Sequence, residues 1–314
     1  MRRTRRLQQR IVNGRYTLFV ALFIATLCWV PGTIVAPPHL WKNHLISYLV
    51  YVCVAYLLIL LNNAFGIIRT RATVQATIYV LLMAVCIPLH ADGSEAFVSL
   101  MYLLSMFFLF RSYQQPLPAT DMFYSFLFLG IGSYFFPQLT LLAPLLWMGA
   151  YLFRSLTWKS FWASIVGWFV PYWFILMAAV WKDDLSLFCR PFEELITFQP
   201  PVIGNFRLWE SVTLAYLLIL FLIAAVYILT GRPEGKIRTR SYLHFFILTN
   251  LCLFAYVLFQ PGESIWVIPL LAIGNSVLGA HYFTDSNSVV SNILFVATLI
   301  GLGALFVYNL WMLG

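Results

Sequence analysis

Between Pro137 and Trp181 the chain reads as an apolar run, PQLTLLAPLLWMGAYLF, a short basic turn, RSLTWKS, and a second apolar run, FWASIVGWFVPYWFILMAAVW. Runs of about 17–25 apolar residues have the length that crosses hydrocarbon as a helix. In lipid every backbone amide must be paired internally, which leaves only helices and closed barrels. The alternating ten-residue strands of a barrel are absent. The expected fold is therefore all-α, a polytopic transmembrane helical bundle. Composition agrees: 62% of the 314 residues are apolar and 10% charged, against about half and a quarter in a soluble domain.

The first apolar run, 17–36, follows a basic segment, 1–16. A cleaved signal peptide is the rival reading, with IVA before Pro37 as its cleavage site. The run's length of about 20 residues, and the many runs behind it, favour an uncleaved span. Ten further spans are expected at 44–61, 75–89, 95–110, 122–136, 138–153, 160–181, 211–230, 241–259, 264–283 and 289–312. The pair 122–153 is short and broken by Gly130, Gly132, Pro137, Pro144 and Gly149. It reads either as two crossings in a tight helical hairpin or as a re-entrant hairpin, giving eleven spans or nine plus the hairpin.

Placing the N-terminus inside puts 15 of the 19 Lys and Arg in inner segments, among them Arg2 to Arg15, Arg69, Arg71, Arg111, Arg154, Lys159 and the Arg232–Arg240 group. Only Lys42, Lys182, Arg190 and Arg207 fall outside. Short cytoplasmic loops are enriched in Lys and Arg, so the expected topology is N-terminus in and C-terminus out. The net charge of +8 is then a topology signal and implies no nucleic acid. The chain reads as one integral membrane domain, 1–314, with a basic cytoplasmic segment at 1–16. Many of its tryptophans fall near span ends, where they form interfacial belts; stacking along a carbohydrate path is the alternative use.

The one long outer connection, 182–210, carries Leu185, Phe188, Phe192, Leu195 and Ile196 near one helical face. An amphipathic helix on the outer leaflet follows, which Pro191 is expected to break or restart. Arg190, Glu193, Glu194 and Arg207 in this loop are candidate outer-face substrate contacts, since an arginine can grip a phosphate or carboxylate through two bonds. Asp92 and Glu95, following His90 in the turn HADGSE, are further candidates for acid–base work. Asn250 and Asn275 are the deepest polar side chains. Ala272, Ser276 and Ala280 repeat every four residues, a stripe that lets helices approach closely. No Asp, Glu, Lys or Arg falls near the middle of a span, where it would cost about 2.5–3.5 kcal/mol and mark a pathway.

No nucleotide, zinc-protease or serine-hydrolase motif occurs, and the five cysteines form no CxxC. No metal or cofactor is expected from these patterns, and they leave open whether the chain is an enzyme and which residues would be catalytic. No two-halves repeat of the carrier type is visible.

NNAFGIIRTRA, the run YFFPQLTLLAPLLWMGAYLFRSLTWKSFWASIVGWFVPYWF and Arg111 resemble an uncharacterised family of polytopic inner-membrane proteins of the Bacteroidota, over the middle third of the chain. That resemblance implies a bacterial inner (cytoplasmic) membrane and no particular reaction. The broken pair, the RSLTWK turn and VGWFVPYWF also look like the membrane part of lipid-linked sugar transferases and polysaccharide polymerases. Those enzymes carry acidic or arginine residues in a large outer loop, whereas APPHLWKN has no carboxylate and the largest outer loop is short. Three functions follow as expectations. The first is cell-envelope work on or beside a lipid-linked saccharide at the outer face, the second a membrane scaffold bound to a protein partner, the third a transporter. Membrane lipids are partners in each.

Overall fold

A computed structural model describes residues 7–12, 14, 16–35, 41–68, 73–197, 207–231, 237–286 and 288–312. Half of the basic segment 1–16, including Arg2, Arg3, Arg5, Arg6 and Arg15, lies outside the described residues, as do Arg69, Arg71, Arg232 and Lys236. Thirteen α-helices and no strands occur among those described. They are α1 (Leu7–Val12), α2 (Thr17–Val35), α3 (Trp41–Phe65), α4 (Val74–Val85), α5 (Ser94–Arg111), α6 (Ala119–Phe135), α7 (Ala143–Leu152), α8 (Trp158–Trp181), α9 (Ser186–Ile196), α10 (Leu208–Thr230), α11 (Ile237–Phe259), α12 (Ser264–Asp285) and α13 (Val289–Trp311). Each of the eleven expected spans falls largely on helical residues among those described, with 3₁₀ turns in 75–89 and 138–153. Seven helices are long and apolar enough to cross a membrane: α3, α5, α8, α10, α11, α12 with the turn before it, and α13. That is the composition of a multi-pass membrane protein.

The chain divides into two compact units, one of residues 1–96 and 201–314, the other of residues 97–200. In the first, α12 is the core. From Val267 to Ala280 every residue of it is buried, with α4, α10 and α11 packed around it. The Ala272, Ser276 and Ala280 stripe is therefore internal packing, with no exposure at any of the three. α4 is buried along nearly its whole length. Large apolar side chains face outward instead, such as Phe19 and Phe23 on α2, Ile219 on α10 and Ile300 on α13. Apolar side chains outward, with polar ones such as Asn250 and Asn275 kept inside, is the arrangement that a hydrocarbon solvent demands.

In the second unit α6 and α8 cross at backbone contact. A Cβ added to Gly130 would lie 2.6 Å from the carbonyl oxygen of Trp168, and one added to Gly167 would strike the carbonyl of Phe123. Ser133 Oγ and Tyr172 Oη, 2.9 Å apart, tie the same pair. The segments 122–136 and 138–153 touch, Phe126 stacking on Trp147 with ring centroids 5.5 Å apart, but α6 packs chiefly on α8. After Phe136 a 3₁₀ segment, Pro137–Leu142, leads into α7. At about 1.5 Å per residue, α7 covers only half of a bilayer core of about 30 Å. α8 starts at a capping box in which the Thr157 amide donates to Ser160 Oγ at 2.7 Å and the Ser160 amide donates to Thr157 Oγ1 at 3.2 Å.

Candidate functional site

The amphipathic helix expected in the 182–210 connection is α9. Pro191 lies inside it, buried, and does not break it. Phe192 packs against Tyr172 of α8, ring centroids 5.1 Å apart. The apolar face is narrower than the spacing implies, because Leu185 and Ile196 at its two ends are exposed. Arg190 Nε donates to Glu194 Oε1 at 2.7 Å, one turn along the same exposed surface. Glu193 is also exposed. Arg207 belongs to the other unit, where its backbone amide donates to Glu210 Oε2 at 3.2 Å and starts α10. Glu210 is buried and also accepts from Ser264 Oγ at 2.8 Å.

The other candidates lead to a denser site, in the unit formed by residues 1–96 and 201–314. Pro88 ends α4 and turns the chain into a 3₁₀ segment, Ile87–His90. His90 is completely buried there. Its ring lies flat on the indole of Trp29, centroids 3.4 Å apart and planes 14° apart. His90 Nε2 is 3.0 Å from the carbonyl oxygen of Met83. A carbonyl can only accept, so Nε2 carries the proton and Nδ1 presents a lone pair. Burial, first of all, pushes the His90 imidazole down to about 3; the Met83 carbonyl pulls the other way, and nearby His44 adds a smaller push downward. The ring stays neutral at physiological pH.

His44, in the first turn of α3, closes on the same point. A Cβ on Gly32 would lie 3.4 Å from His90 Nδ1 and 3.9 Å from His44 Cε1, so those two ring atoms are at most 7.3 Å apart. Trp29 Nε1 donates to the His44 carbonyl at 3.2 Å. Tyr51, two turns further along α3, packs edge-on to Trp29 at 6.0 Å and lies in electrostatic reach of Glu95 and Asp92. Asp92 Oδ1 accepts from the Ser94 amide at 3.2 Å, which opens α5 and leaves Glu95 in its first turn.

Five buried polar groups of this cluster have no hydrogen-bond partner among the described residues: both ring nitrogens of His44, Tyr51 Oη, His90 Nδ1 and Glu95 Oε2. Buried polar atoms are nearly always paired, and each exception asks for an explanation. Deeper in the same unit, the amide groups of Asn250 on α11 and Asn275 on α12 are also buried without partners. No group of three metal-ligating side chains occurs among the described residues. The turn HADGSE pointed to this cluster through Asp92 and Glu95. Trp29, His44 and Tyr51 join it only through packing, and no local pattern announces them.

The chain matches no protein-family model, no curated protein and no solved structure.

Proposed function

We propose that this is a protein of the bacterial cytoplasmic membrane, N-terminus inside and C-terminus outside. It crosses eleven times, or nine with 122–153 re-entrant. In this reading it binds the polar end of a lipid-linked saccharide at the outer face, in cell-envelope biogenesis. The observation that carries the reading is the unpartnered set around His44, Tyr51, His90 and Glu95. The charge-based topology puts this end of the helices outside. His90 Nδ1 and Glu95 Oε2 accept hydrogen bonds, Tyr51 Oη can donate one, and the Trp29–His90 stack supplies a flat aromatic surface. A ligand rich in hydroxyl groups satisfies all of these at once. Arg207, exposed at the start of α10 in the same unit, can pair with a diphosphate.

The test is native mass spectrometry of the gently extracted protein with identification of bound lipid. A retained polyprenyl-linked saccharide, lost in His90→Phe and Glu95→Gln, supports the reading. A stoichiometric protein partner without such a lipid favours a scaffold. The unpartnered amides of Asn250 and Asn275 favour a second reading, passage of a polar solute. That reading predicts uptake into proteoliposomes that Asn275→Leu abolishes.

A further inference from the structure

The unit of residues 1–96 and 201–314 also contains a cavity of about 490 Å³, walled by α2, α4, α10 and α13 and closed at one end by α1. Its volume is that of a small-molecule site, but its walls are almost wholly apolar. Five hydroxyl side chains line it; Tyr16 is exposed at its end, and each of the other four is spent on a backbone carbonyl. Thr17 Oγ1 donates to Ile11 O at 2.6 Å, Thr77 to Thr73 O at 3.0 Å, Thr298 to Leu294 O at 2.7 Å, and Tyr216 Oη to Thr298 O at 3.0 Å. What faces the void is therefore hydrocarbon. The cavity opens sideways: Val20 and Ile24 on α2 and Leu299 on α13 line it and are exposed. Along α2 it runs from Tyr16 to Ile24, about 12 Å at 1.5 Å per residue.

One charged side chain lines it, Arg10. Arg10 is exposed and has no acidic partner among the described residues. Its helix is held in place by Gln8. The Gln8 side-chain amide donates to Phe283 O at 2.6 Å and Ser286 O at 3.0 Å, and its backbone amide to Asn292 Oδ1 at 3.1 Å. The cation thus sits at one end of a hydrocarbon-walled crevice that is open along its side.

We infer that this crevice binds an anionic phospholipid, with one acyl chain along α2 and α4 and the phosphate paired with Arg10. The apolar walls select a chain, the lateral opening selects a ligand already in the bilayer, and the unpaired guanidinium selects a negative headgroup. The site is separate from the His90 cluster and stands without the saccharide reading.

The test is native mass spectrometry of the full-length protein titrated with phosphatidylglycerol and with phosphatidylethanolamine of identical chains. Phosphatidylglycerol is expected to bind more tightly, by about fivefold for the one cation. Arg10→Gln is expected to erase that preference while leaving phosphatidylethanolamine unchanged. Leu299→Trp, at the exposed mouth, fills the crevice and weakens both lipids. Ala21→Trp does the same from its floor, and Leu299→Trp stands alone if Ala21→Trp does not fold. Gly303→Leu, on the same helix with open space around it, leaves both lipids bound as before. Equal binding of the two lipids to the unaltered protein, or unchanged binding to Leu299→Trp, overturns the proposal.

Discussion

Replacing His90 with phenylalanine separates a ligand site from a structural histidine. The aromatic stack on Trp29 survives. The bond from Nε2 to Met83 O is lost, at about 0.5–1.5 kcal/mol. That carbonyl is not orphaned, because the Cys86 amide also donates to it, at 3.2 Å. Against this, the buried and unpartnered Nδ1 disappears, and such an atom costs about 1–3 kcal/mol. At neutral pH the variant is therefore as stable as the parent, or more stable by about 1 kcal/mol.

Acid widens the gap. The parent imidazole titrates at about 3 when folded, against an ordinary value of 6.5. Below pH 6.5 the unfolded chain binds the proton first, so the parent loses stability as pH falls from there toward 3. At pH 4.5 the loss amounts to about 2–3 kcal/mol. His44, Asp92 and Glu95 are present in both proteins, so the difference between them isolates His90. The assay is thermal unfolding of both proteins in detergent at pH 7.5 and 4.5. A difference that stays constant between the two pH values, or a variant more than about 2 kcal/mol less stable at pH 7.5, would refute the reasoning.

Gly130→Ala pushes a methyl group against the Trp168 carbonyl and is expected to cost about 1–3 kcal/mol, read as a lower unfolding temperature; an unchanged temperature means that α6 and α8 do not cross at this point. Asn275→Leu removes two unpartnered buried amide atoms and is expected to raise the unfolding temperature by the equivalent of about 1 kcal/mol or more. A fall instead would show that water or a ligand satisfies the amide. Cys189 is exposed in α9 and is expected to react with a membrane-impermeant maleimide added outside intact spheroplasts, whereas protection of Cys189 there would reverse the topology.

Much of the helical pattern was legible because hydrocarbon imposes so simple a rule. From Trp158 to Trp181 apolar residues run on without a charge beyond Lys159, and a helix is the only open-ended way to pair their amides. Pairing between helices was less legible. Gly130 and Pro137 looked like the marks of a hairpin with the next segment, yet Gly130 packs on Trp168, because sequence adjacency says nothing about which backbone a missing side chain admits. Pro191 predicts a break or restart in this segment, but proline removes a single donor, and a helix whose proline is buried against its support tolerates the loss. The site was half visible. Asp92 and Glu95 follow a histidine in a turn, a local signal; His44 and Tyr51 sit two helices upstream, in α3, with no local pattern to mark them until the fold brings them to His90.

The unit built on α12 is discontinuous, assembled from the first 96 residues and the last 114, and this sets an order of manufacture. About 200 residues separate the end of α4 at Val85 from the end of α12 at Asp285. At about 5–20 residues per second, α4 waits roughly 10–40 s for the helix that buries it. Throughout that interval Gln75, which in the finished protein donates to Leu58 O at 2.6 Å, is shielded only by helices already made, α2 and α3 among them. A ribosome stalled before residue 264 would thus leave a half-built membrane protein with α4 covered on one side only, the kind of substrate that membrane quality-control proteases and insertases meet.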